Sequence, residues 1–177
     1  RMMSELRTEN EIIKTWNSLE PVISICCTTY NHEPYLKETI QSFLVQETSF
    51  PFEIVIHDDA STDKTAAIIK SYAKLYPSII KPICQVENQY SKGVKVNSVY
   101  NFSRALGKYI ALCEGDDYWI DNKKLSKQIK RIEELDTDIC FTNALLEYQN
   151  DKQELRFKGD ELLNKITISE VIRRGGW

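Results

Sequence analysis

Three acidic residues, Glu114, Asp116 and Asp117, stand within four positions of each other, directly after the apolar run 109–112. Carboxylate oxygens on a tight turn suit a hard divalent cation such as Mg²⁺ or Mn²⁺. Such an ion keeps open positions and bridges substrate phosphates, and Gly115 between the acids would let the backbone approach a ligand closely. A simpler alternative stays open, because glycine and aspartate are also the commonest residues of turns and helix caps.

Two further polar stretches follow apolar runs. Asp58 and Asp59 come after the run 52–57, and Thr28 and Tyr30 stand at the end of an earlier run. One carboxylate of the pair could accept a hydrogen bond from the N3–H group of a pyrimidine. Thr28 could hydrogen-bond the base, and Tyr30 could stack on a base or a ribose. Taken singly these signals are weak, since the acids also suit a solvent-facing turn and the tyrosine a boundary aromatic.

The elements that must position these residues alternate between strand and helix patterns. Short apolar runs predict strands over residues 22–29, 52–57, 79–86 and 108–113, and another within 138–148. Apolar stripes predict helices after Pro34 through Leu44, from 61 to 76 and over 123–135, and a further helix is predicted over 97–106. This order predicts an α/β fold with a mostly parallel central sheet and helices on both faces. Ligands of such sheets bind beyond the carboxyl ends of the strands, where the polar stretches stand.

Finer features of the elements are predicted from single residues. Pro82 places the third strand at a sheet edge, whereas the apolarity of 108–113 predicts a central strand. The residues 61–63 offer a cap and a first-turn acid for the next helix, which Pro77 ends. Gly107 is predicted to end the helix over 97–106 in the left-handed conformation.

Composition narrows the classes of function. The 23 basic and 26 acidic residues give a net charge of −3, which provides no electrostatic footprint for nucleic acid. No apolar run approaches the roughly 18 to 20 residues of a membrane span, and no secretory signal is expected. The dinucleotide fingerprint, the P-loop and the α/β-hydrolase nucleophile motif are all absent. The five cysteines show no zinc spacing and are interpreted as buried residues in a reducing cytoplasm; the histidines, His32 and His57, are interpreted as structural or supporting side chains.

Three stretches together resemble family 2 glycosyltransferases. They are PVISICCTTYNHEPYLKETIQSFLVQ, FEIVIHDDASTDKT and GKYIALCEGDDYWIDNKKLSKQ, and the resemblance covers about residues 21–148. The CEGDDYW form is similar to a branch of bacterial polysaccharide glycosyltransferases. The resemblance implies a GT-A nucleotide-sugar-binding domain over 21–148, after a helical lead-in over 1–20. It also implies that 149–177 begins an acceptor-side region that this chain does not complete.

The resemblance implies a role for each matching residue. The nucleotide-binding positions would be Thr28, Tyr30, Glu33, Asp58, Asp59, Lys92, Glu114 and Gly115. The ligands of a Mn²⁺ or Mg²⁺ ion would be Asp116 and Asp117. Glu114 stands where the family has aspartate, and its extra methylene would let it reach the ribose or a metal-bound water differently. No residue convincingly matches the family's catalytic base, and the GDE triplet at 159–161 is a poor candidate.

The function implied is transfer of a sugar from a nucleotide-diphosphate sugar, UDP-sugar by default, to an acceptor hydroxyl of a glycan or lipid-linked acceptor, with inversion. We expect a cytoplasmic protein, or one held peripherally at the inner face of the membrane. Two alternatives stay open. A nucleotidyltransferase would share the sheet and the acidic ligands but would show a glycine-rich basic loop after the first strand, which is absent. A non-catalytic donor-binding module would account for the missing base.

Overall fold

The computed structural model describes residues 6–148 and 152–156 of the chain. Their helices are α1 (Glu9–Ile13), α2 (Leu36–Leu44), α3 (Thr65–Leu75) and α4 (Lys124–Leu135). Their strands are β1 (Ile23–Thr29), β2 (Phe52–Asp58), β3 (Ile80–Cys84), β4 (Tyr109–Leu112), β5 (Leu145–Glu147) and β6 (Gln153–Leu155). The chain divides into two compact units, one up to Ile129 and one from Lys130 onward.

The first unit is built around a four-stranded parallel sheet in the order β3-β2-β1-β4. The two middle strands are buried along almost their whole length, as their runs of isoleucine, valine and cysteine predict. This confirms the α/β fold with a parallel sheet. Pro82 lies on β3, and β3 is an edge strand, so that prediction is confirmed as well.

The prediction that the strand over 108–113 is central is wrong for the residues that the structure describes. β4 pairs there with β1 alone, and the side chains of Ile110 and Leu112 are exposed by 44% and 41%. A four-residue apolar run predicts only that one face of the strand can pack against other parts of the protein. The run does not predict whether the strand pairs with one or two other strands, because periodicity alone does not distinguish an edge strand from a central one.

The helix next to β1 follows its sequence pattern closely. The four predicted stripe residues of α2 are fully buried: Leu36, Ile40, Phe43 and Leu44. α3 ends before Pro77, as expected, but begins at Thr65 rather than at 61–63. Asp63 still serves its first turn, because its Oδ1 accepts the Thr65 N–H at 2.9 Å. The polar residues before it are instead used in contacts between loops.

The helix predicted over 97–106 is a π-helical turn over Asn97–Asn101 followed by a 3₁₀ turn over Phe102–Arg104. The buried amide of Asn101 donates to the carbonyl of Cys27 at 3.2 Å, which ties this segment to β1. The prediction of a left-handed Gly107 is wrong, since Gly93 is the glycine with positive φ in the described part. Gly107 is needed for space, because a Cβ atom there would lie 2.4 Å from the backbone nitrogen of Ser24.

Other predicted segments are borne out in part or lie outside the described residues. Within 138–148 only β5 is a strand, and it pairs with β6 in antiparallel fashion. The predicted N-terminal helix contains α1, which begins with a capping box between Thr8 and Glu11. Residues 1–5, 149–151 and 157–177, including the 159–161 triplet, lie outside the description. The proposed domain boundaries therefore stay a prediction.

The cysteine interpretation holds for the three thiols on the central strands and at the end of β4. Cys26, Cys27 and Cys113 are buried and form no disulfide, and Cys84 and Cys140 are partly buried. Burial raises the pKa of Cys26 and of Cys113 to about 12. A thiol that stays protonated at neutral pH is a poor nucleophile and metal ligand, so these residues act as small apolar side chains.

Candidate active site

The polar ends of three strands meet at one edge of the sheet because the strands are parallel. The β1–β2 register places Thr29 opposite Asp58, and the β1–β4 register places Cys26 opposite Leu112. β4 thus ends before β1 does, and the following residues continue alongside β1. The Gly115 N–H donates to the Thr28 carbonyl at 2.9 Å. The acids that follow β4 are therefore brought against the end of β1, as the sequence predicts.

We call residues 114–117 the acid turn. It closes on itself through a bond from the Asp117 N–H to the Glu114 carbonyl, at 3.1 Å. It is fastened to α2 by the buried hydroxyl of Thr39, which donates to the Gly115 carbonyl at 3.0 Å. Two neighbouring elements, β1 and α2, thereby hold the turn through its backbone.

Gly115 lets the acid turn approach β1. A Cβ atom at this position would lie 2.7 Å from Cβ of Thr29 and 2.8 Å from Nδ1 of His32. Real Cβ atoms do not approach other heavy atoms so closely, so any other residue would push the turn off the strand. The sequence predicts that Gly115 allows a close approach of a ligand. In the structure, Gly115 already allows the close approach of the acid turn to β1 and to the loop that follows it.

Glu114 reaches back to β1 through its side chain. The Thr28 hydroxyl donates a hydrogen bond to Oε2 of Glu114. The glutamate side chain therefore links Glu114 to Thr28, two residues that the resemblance assigns to nucleotide binding. Glu114 is exposed at the edge of the sheet, and the bond to Thr28 uses only one of its two carboxylate oxygens.

Asp116 and Asp117 are both exposed, and His32 faces them. Nε2 of His32 lies 3.9 Å from Oδ2 of Asp116, whose side chain is 50% exposed. Partial burial of its carboxyl group raises the pKa of Asp117, and the charge of Asp116 raises it further, whereas His32 lowers it. The sequence marks His32 only by its place after β1, and its position beside the acids emerges from the fold.

The acid turn fits a cation that is also bound by phosphate. No group of three or more His, Cys, Asp or Glu residues that could hold a metal occurs in the described residues. The turn offers exposed carboxylates, hard oxygen donors that Mg²⁺ and Mn²⁺ accept. Mg²⁺ is commonly held by one or two carboxylates plus substrate phosphates and water. Asp116 and Asp117 are thus the residues of the acid turn that could contribute oxygen ligands to such an ion.

The loops after β1 and β2 are joined by several hydrogen bonds. Asn31, in the left-handed conformation that asparagine tolerates, accepts the Thr62 N–H at 2.8 Å, and its own N–H donates to the Ser61 hydroxyl at 2.8 Å. The Glu33 carboxylate accepts the Lys64 N–H at 3.0 Å. Glu33 is thus engaged in loop packing, while Tyr30 remains 45% exposed at the strand end. The Asn in this turn is the one signal that could have predicted the loop contact.

The acids Asp58, which ends β2, and Asp59, which follows it, are both buried, and their partners differ. Asp58 accepts hydrogen bonds from the hydroxyl and the N–H of Ser61, within its own turn. Asp59 accepts the N–H groups of Gln89 and Tyr90, at 2.8 and 2.9 Å, from the loop after β3. The solvent-facing alternative is wrong for both residues, since they are 1% and 4% exposed. Lys92, on the same loop, pairs with Glu87.

His57 lies at the buried end of β2. Its ring stacks on Tyr100 with centroids 4.9 Å apart, and its Nε2 lies 3.2 Å from Nε2 of Gln85. Burial lowers the pKa of His57, and the charges of Asp59 and Asp58 oppose that effect only in part. The ring is 0% exposed, which confirms its structural interpretation.

Comparison with known proteins agrees with this geometry. The model of the family described as "Glycosyl transferase family 2" matches residues 24–173, most of the chain. The chain belongs to this family. The matched range includes all three strand ends and the acid turn.

The chain is also similar in sequence to individual proteins. The chain is 43% identical over 153 residues to an uncharacterised protein of Mycobacterium tuberculosis, covering 86% of this chain and 43% of that protein. It is 36% identical over 126 residues to WfaP of Escherichia coli, a UDP-Glc:α-D-GlcNAc-diphosphoundecaprenol β-1,3-glucosyltransferase, covering 71% and 47%. The chain therefore spans less than half of the length of these relatives.

A solved structure shows the same fold. The structure of TarS 1–349 from S. aureus, in complex with UDP-GlcNAc, superposes with a TM-score of 0.55 at 33% identity. The match covers 66% of this chain and 32% of the TarS chain. The first unit thus has the fold of a GT-A glycosyltransferase domain, as the resemblance implies.

Proposed function

We propose that this chain carries the donor-binding domain of a glycosyltransferase that moves a sugar from a nucleotide-diphosphate sugar to an acceptor hydroxyl. The observation that carries the proposal is the convergence of Thr28, Asp58 and the acid turn at the carboxyl edge of one parallel sheet. Membership of family 2 supports it, and so do the UDP-sugars in the names of WfaP and the TarS complex. UDP is therefore the first nucleotide to test.

The proposed roles follow the position of each residue. Thr28 and Tyr30, at the end of β1, would contact the base, with Asp58 beside them across the β1–β2 register. Glu114 would contact the ribose through its second oxygen, because Oε2 is occupied by Thr28. Gly115 would act by letting the acid turn lie against β1, since both of its backbone polar groups are hydrogen-bonded within the protein. The predicted roles of Glu33, Asp59 and Lys92 are less direct, since their charged groups are already engaged within loops.

The ion that this site fits is Mn²⁺ or Mg²⁺. When bound, it would offset the negative charge that develops on the departing diphosphate. Asp116 would hold it, with Asp117 beside it, and the backbone contacts of Gly115 keep both carboxylates at the edge of the sheet. The base that deprotonates the acceptor hydroxyl has no assigned residue among those described, and inversion remains what the family resemblance implies.

The acceptor proposed is a glycan or a lipid-linked sugar, in the synthesis of a cell-surface polysaccharide. The name of WfaP, with its diphosphoundecaprenol-linked acceptor, supports this class. A lipid-linked acceptor would bring the protein to a membrane surface from the cytoplasmic side. Among the residues that the structure describes, no helix combines the length and apolarity of a membrane span.

A thermal-shift panel tests the proposal. The protein is heated with UDP, GDP, UDP-Glc or UDP-GlcNAc, each with Mn²⁺ and with EDTA. Because a ligand that binds only the folded state raises Tm by mass action, we expect at least one nucleotide to raise Tm with Mn²⁺ and to do so less with EDTA. The proposal is wrong if no nucleotide shifts Tm at saturating concentration.

A further inference from the structure

His32 is fixed through its backbone on the loop after β1. Its N–H donates at 2.9 Å to the hydroxyl of Thr65, a fully buried residue at the start of α3. Its carbonyl accepts the N–H groups of Tyr35 and Leu36, at 3.0 and 2.9 Å, where α2 begins. The starts of two helices therefore set the place of the imidazole ring, and the side chain of His32 is only 22% exposed.

The imidazole of His32 lies between a buried threonine and the acid turn. Nδ1 of the ring and the hydroxyl oxygen of Thr29 are both buried, and neither has a hydrogen-bond partner among the described residues. The two side chains border the same point, since a Cβ atom on Gly115 would lie 2.7 Å from Cβ of Thr29 and 2.8 Å from Nδ1. At the other side of the ring, Nε2 lies 3.9 Å from Oδ2 of Asp116.

The two unpartnered atoms can satisfy each other in one favourable arrangement. Thr29 is 3% exposed, and rotation about its Cα–Cβ bond can bring the hydroxyl toward Nδ1. If the hydroxyl donates, Nδ1 accepts and the proton of the neutral ring is on Nε2, so no buried proton lacks an acceptor. A proton on Nδ1 would instead leave the hydroxyl proton of Thr29 buried and unpaired, which is unfavourable. This arrangement makes Nε2–H the group that faces Asp116.

We propose that His32 is a positioning residue for Asp116: its Nε2–H group orients the carboxylate, and Thr29 keeps the proton on that nitrogen. This rests on the proposed function, in which Asp116 holds the metal of a metal–nucleotide complex. The separation of 3.9 Å is longer than a direct hydrogen bond, and a small rotation of the half-exposed Asp116 side chain or one bridging water would close it. Carboxylates that ligate metals are in turn hydrogen-bonded, and losing such a partner typically costs about 10–100-fold in metal affinity.

The same arrangement distinguishes His32 from a metal ligand. A histidine binds a metal through an unprotonated ring nitrogen. Nε2 carries the proton, and Nδ1 is buried beside Thr29 and Gly115. The ring therefore acts on an ion at the acid turn only through the carboxylate that it orients.

Nitrogen NMR of the ligand-free protein at pH 8 tests the tautomer. The chain has two histidines, so the signals of His32 are the ones that disappear in His32→Gln. We expect an unprotonated Nδ1 and a protonated Nε2. Thr29→Val keeps the shape of the side chain but lacks the hydroxyl, so it should change the Nδ1 shift. A protonated Nδ1 in the wild type, or an Nδ1 shift that Thr29→Val leaves unchanged, overturns the arrangement.

Affinity measurements on the whole chain test the positioning role. Calorimetry gives the Kd of UDP with Mn²⁺ and with EDTA for the wild type, His32→Asn and His32→Gln. A glutamine amide extends to about the place of Nε2, whereas an asparagine amide ends near the place of Nδ1. We expect His32→Asn to lose roughly tenfold or more of the gain in affinity that Mn²⁺ provides, and His32→Gln to keep most of it. With EDTA, the three proteins should bind UDP equally.

The outcomes separate this proposal from the proposed function. If His32→Asn lowers the affinity with Mn²⁺ and with EDTA by the same factor, His32 is only structural and the proposal is overturned. An equal loss of the Mn²⁺ gain in His32→Gln and His32→Asn would make His32 a ligand, which overturns it as well. If His32→Asn does not fold, Thr29→Val should show a reduced Mn²⁺ gain, and an unchanged gain contradicts the proposal. If the wild type binds no UDP, the proposed function fails and the positioning role fails with it, whereas the nitrogen shifts still decide the tautomer.

Discussion

Glu114 reaches Thr28 because of its side-chain length and because the strand register carries the acid turn past the end of β4 to lie beside Thr28. An aspartate would be one methylene shorter. The hydroxyl proton of Thr28 is committed to the carboxylate, so its oxygen faces a ligand only as an acceptor. The glutamate that stands where the resemblance implies an aspartate thus links two positions of the candidate site.

A double-mutant cycle on Thr28 and Glu114 tests this link. Glu114→Asp and Thr28→Val should each remove the hydrogen bond and lower the free energy of unfolding by a similar amount. The double variant should be little less stable than either single variant. The coupling expected is about 1 kcal/mol, as for one hydrogen bond, measured from the free energies of unfolding in urea and from UDP affinity. Additive effects of the two substitutions would show that the side chains act independently.

Much of the site was predictable at the level of residues. The parallel order of strands was enough to bring Thr28, Asp58 and Glu114 to one edge, and the glycine between the acids indicated close approach. The partners of Asp59 were not predictable, because they depend on how residues 85–93 fold back, and this stretch has no periodic pattern. The left-handed conformation of Ala60 had no signal either, since alanine rarely adopts it.

At the scale of elements, apolar periodicity predicted where strands and helices form better than it predicted which elements lie next to each other. α2 buries its predicted stripe, and β3 lies at the edge that Pro82 indicates. The segment 97–106 carried helical spacing but forms a π-helical and a 3₁₀ turn, where the Asn101 side chain is drawn to the backbone of β1. Such a tertiary hydrogen bond leaves no mark on local periodicity.

The contact between β2 and that π-helical turn predicts a pH dependence of stability. His57 stacks on Tyr100, and burial holds its pKa below the ordinary value, so the folded state keeps it neutral while the unfolded chain binds a proton below about pH 6.5. The stabilisation is therefore present above that pH and is lost as the pH falls. The slope contributed by this residue is at most about 1.4 kcal/mol per pH unit.

His57→Gln removes this titration. Urea unfolding of both proteins from pH 8 to pH 5.5 is the measurement, and at pH 8 the variant should be the less stable protein because the stacked ring is lost. The difference should narrow as the pH falls through 6.5 to 5.5. A difference that stays constant over the whole range would contradict a buried, neutral His57.

At the scale of the whole molecule, the chain belongs to family 2 and spans less than half of the length of the M. tuberculosis protein and of WfaP. Its described part brings Thr28, Asp58 and the acid turn to one edge of the sheet, and this convergence supports donor binding as the proposed task of this part. Binding of a metal–nucleotide complex at the acid turn is the part of the proposed function that this chain can carry out without the whole transfer reaction.

The most direct measurement is calorimetric titration of UDP into the wild type, Asp116→Asn and the control Asp138→Asn, each with Mn²⁺ and with EDTA. Asp138 is an exposed acid outside the acid turn. The prediction is Mn²⁺-dependent binding by the wild type and the control, and a loss of at least roughly tenfold in Asp116→Asn, which lacks a charged metal ligand. Equal affinity of all three proteins for UDP, with and without Mn²⁺, would contradict a metal–nucleotide site at the acid turn.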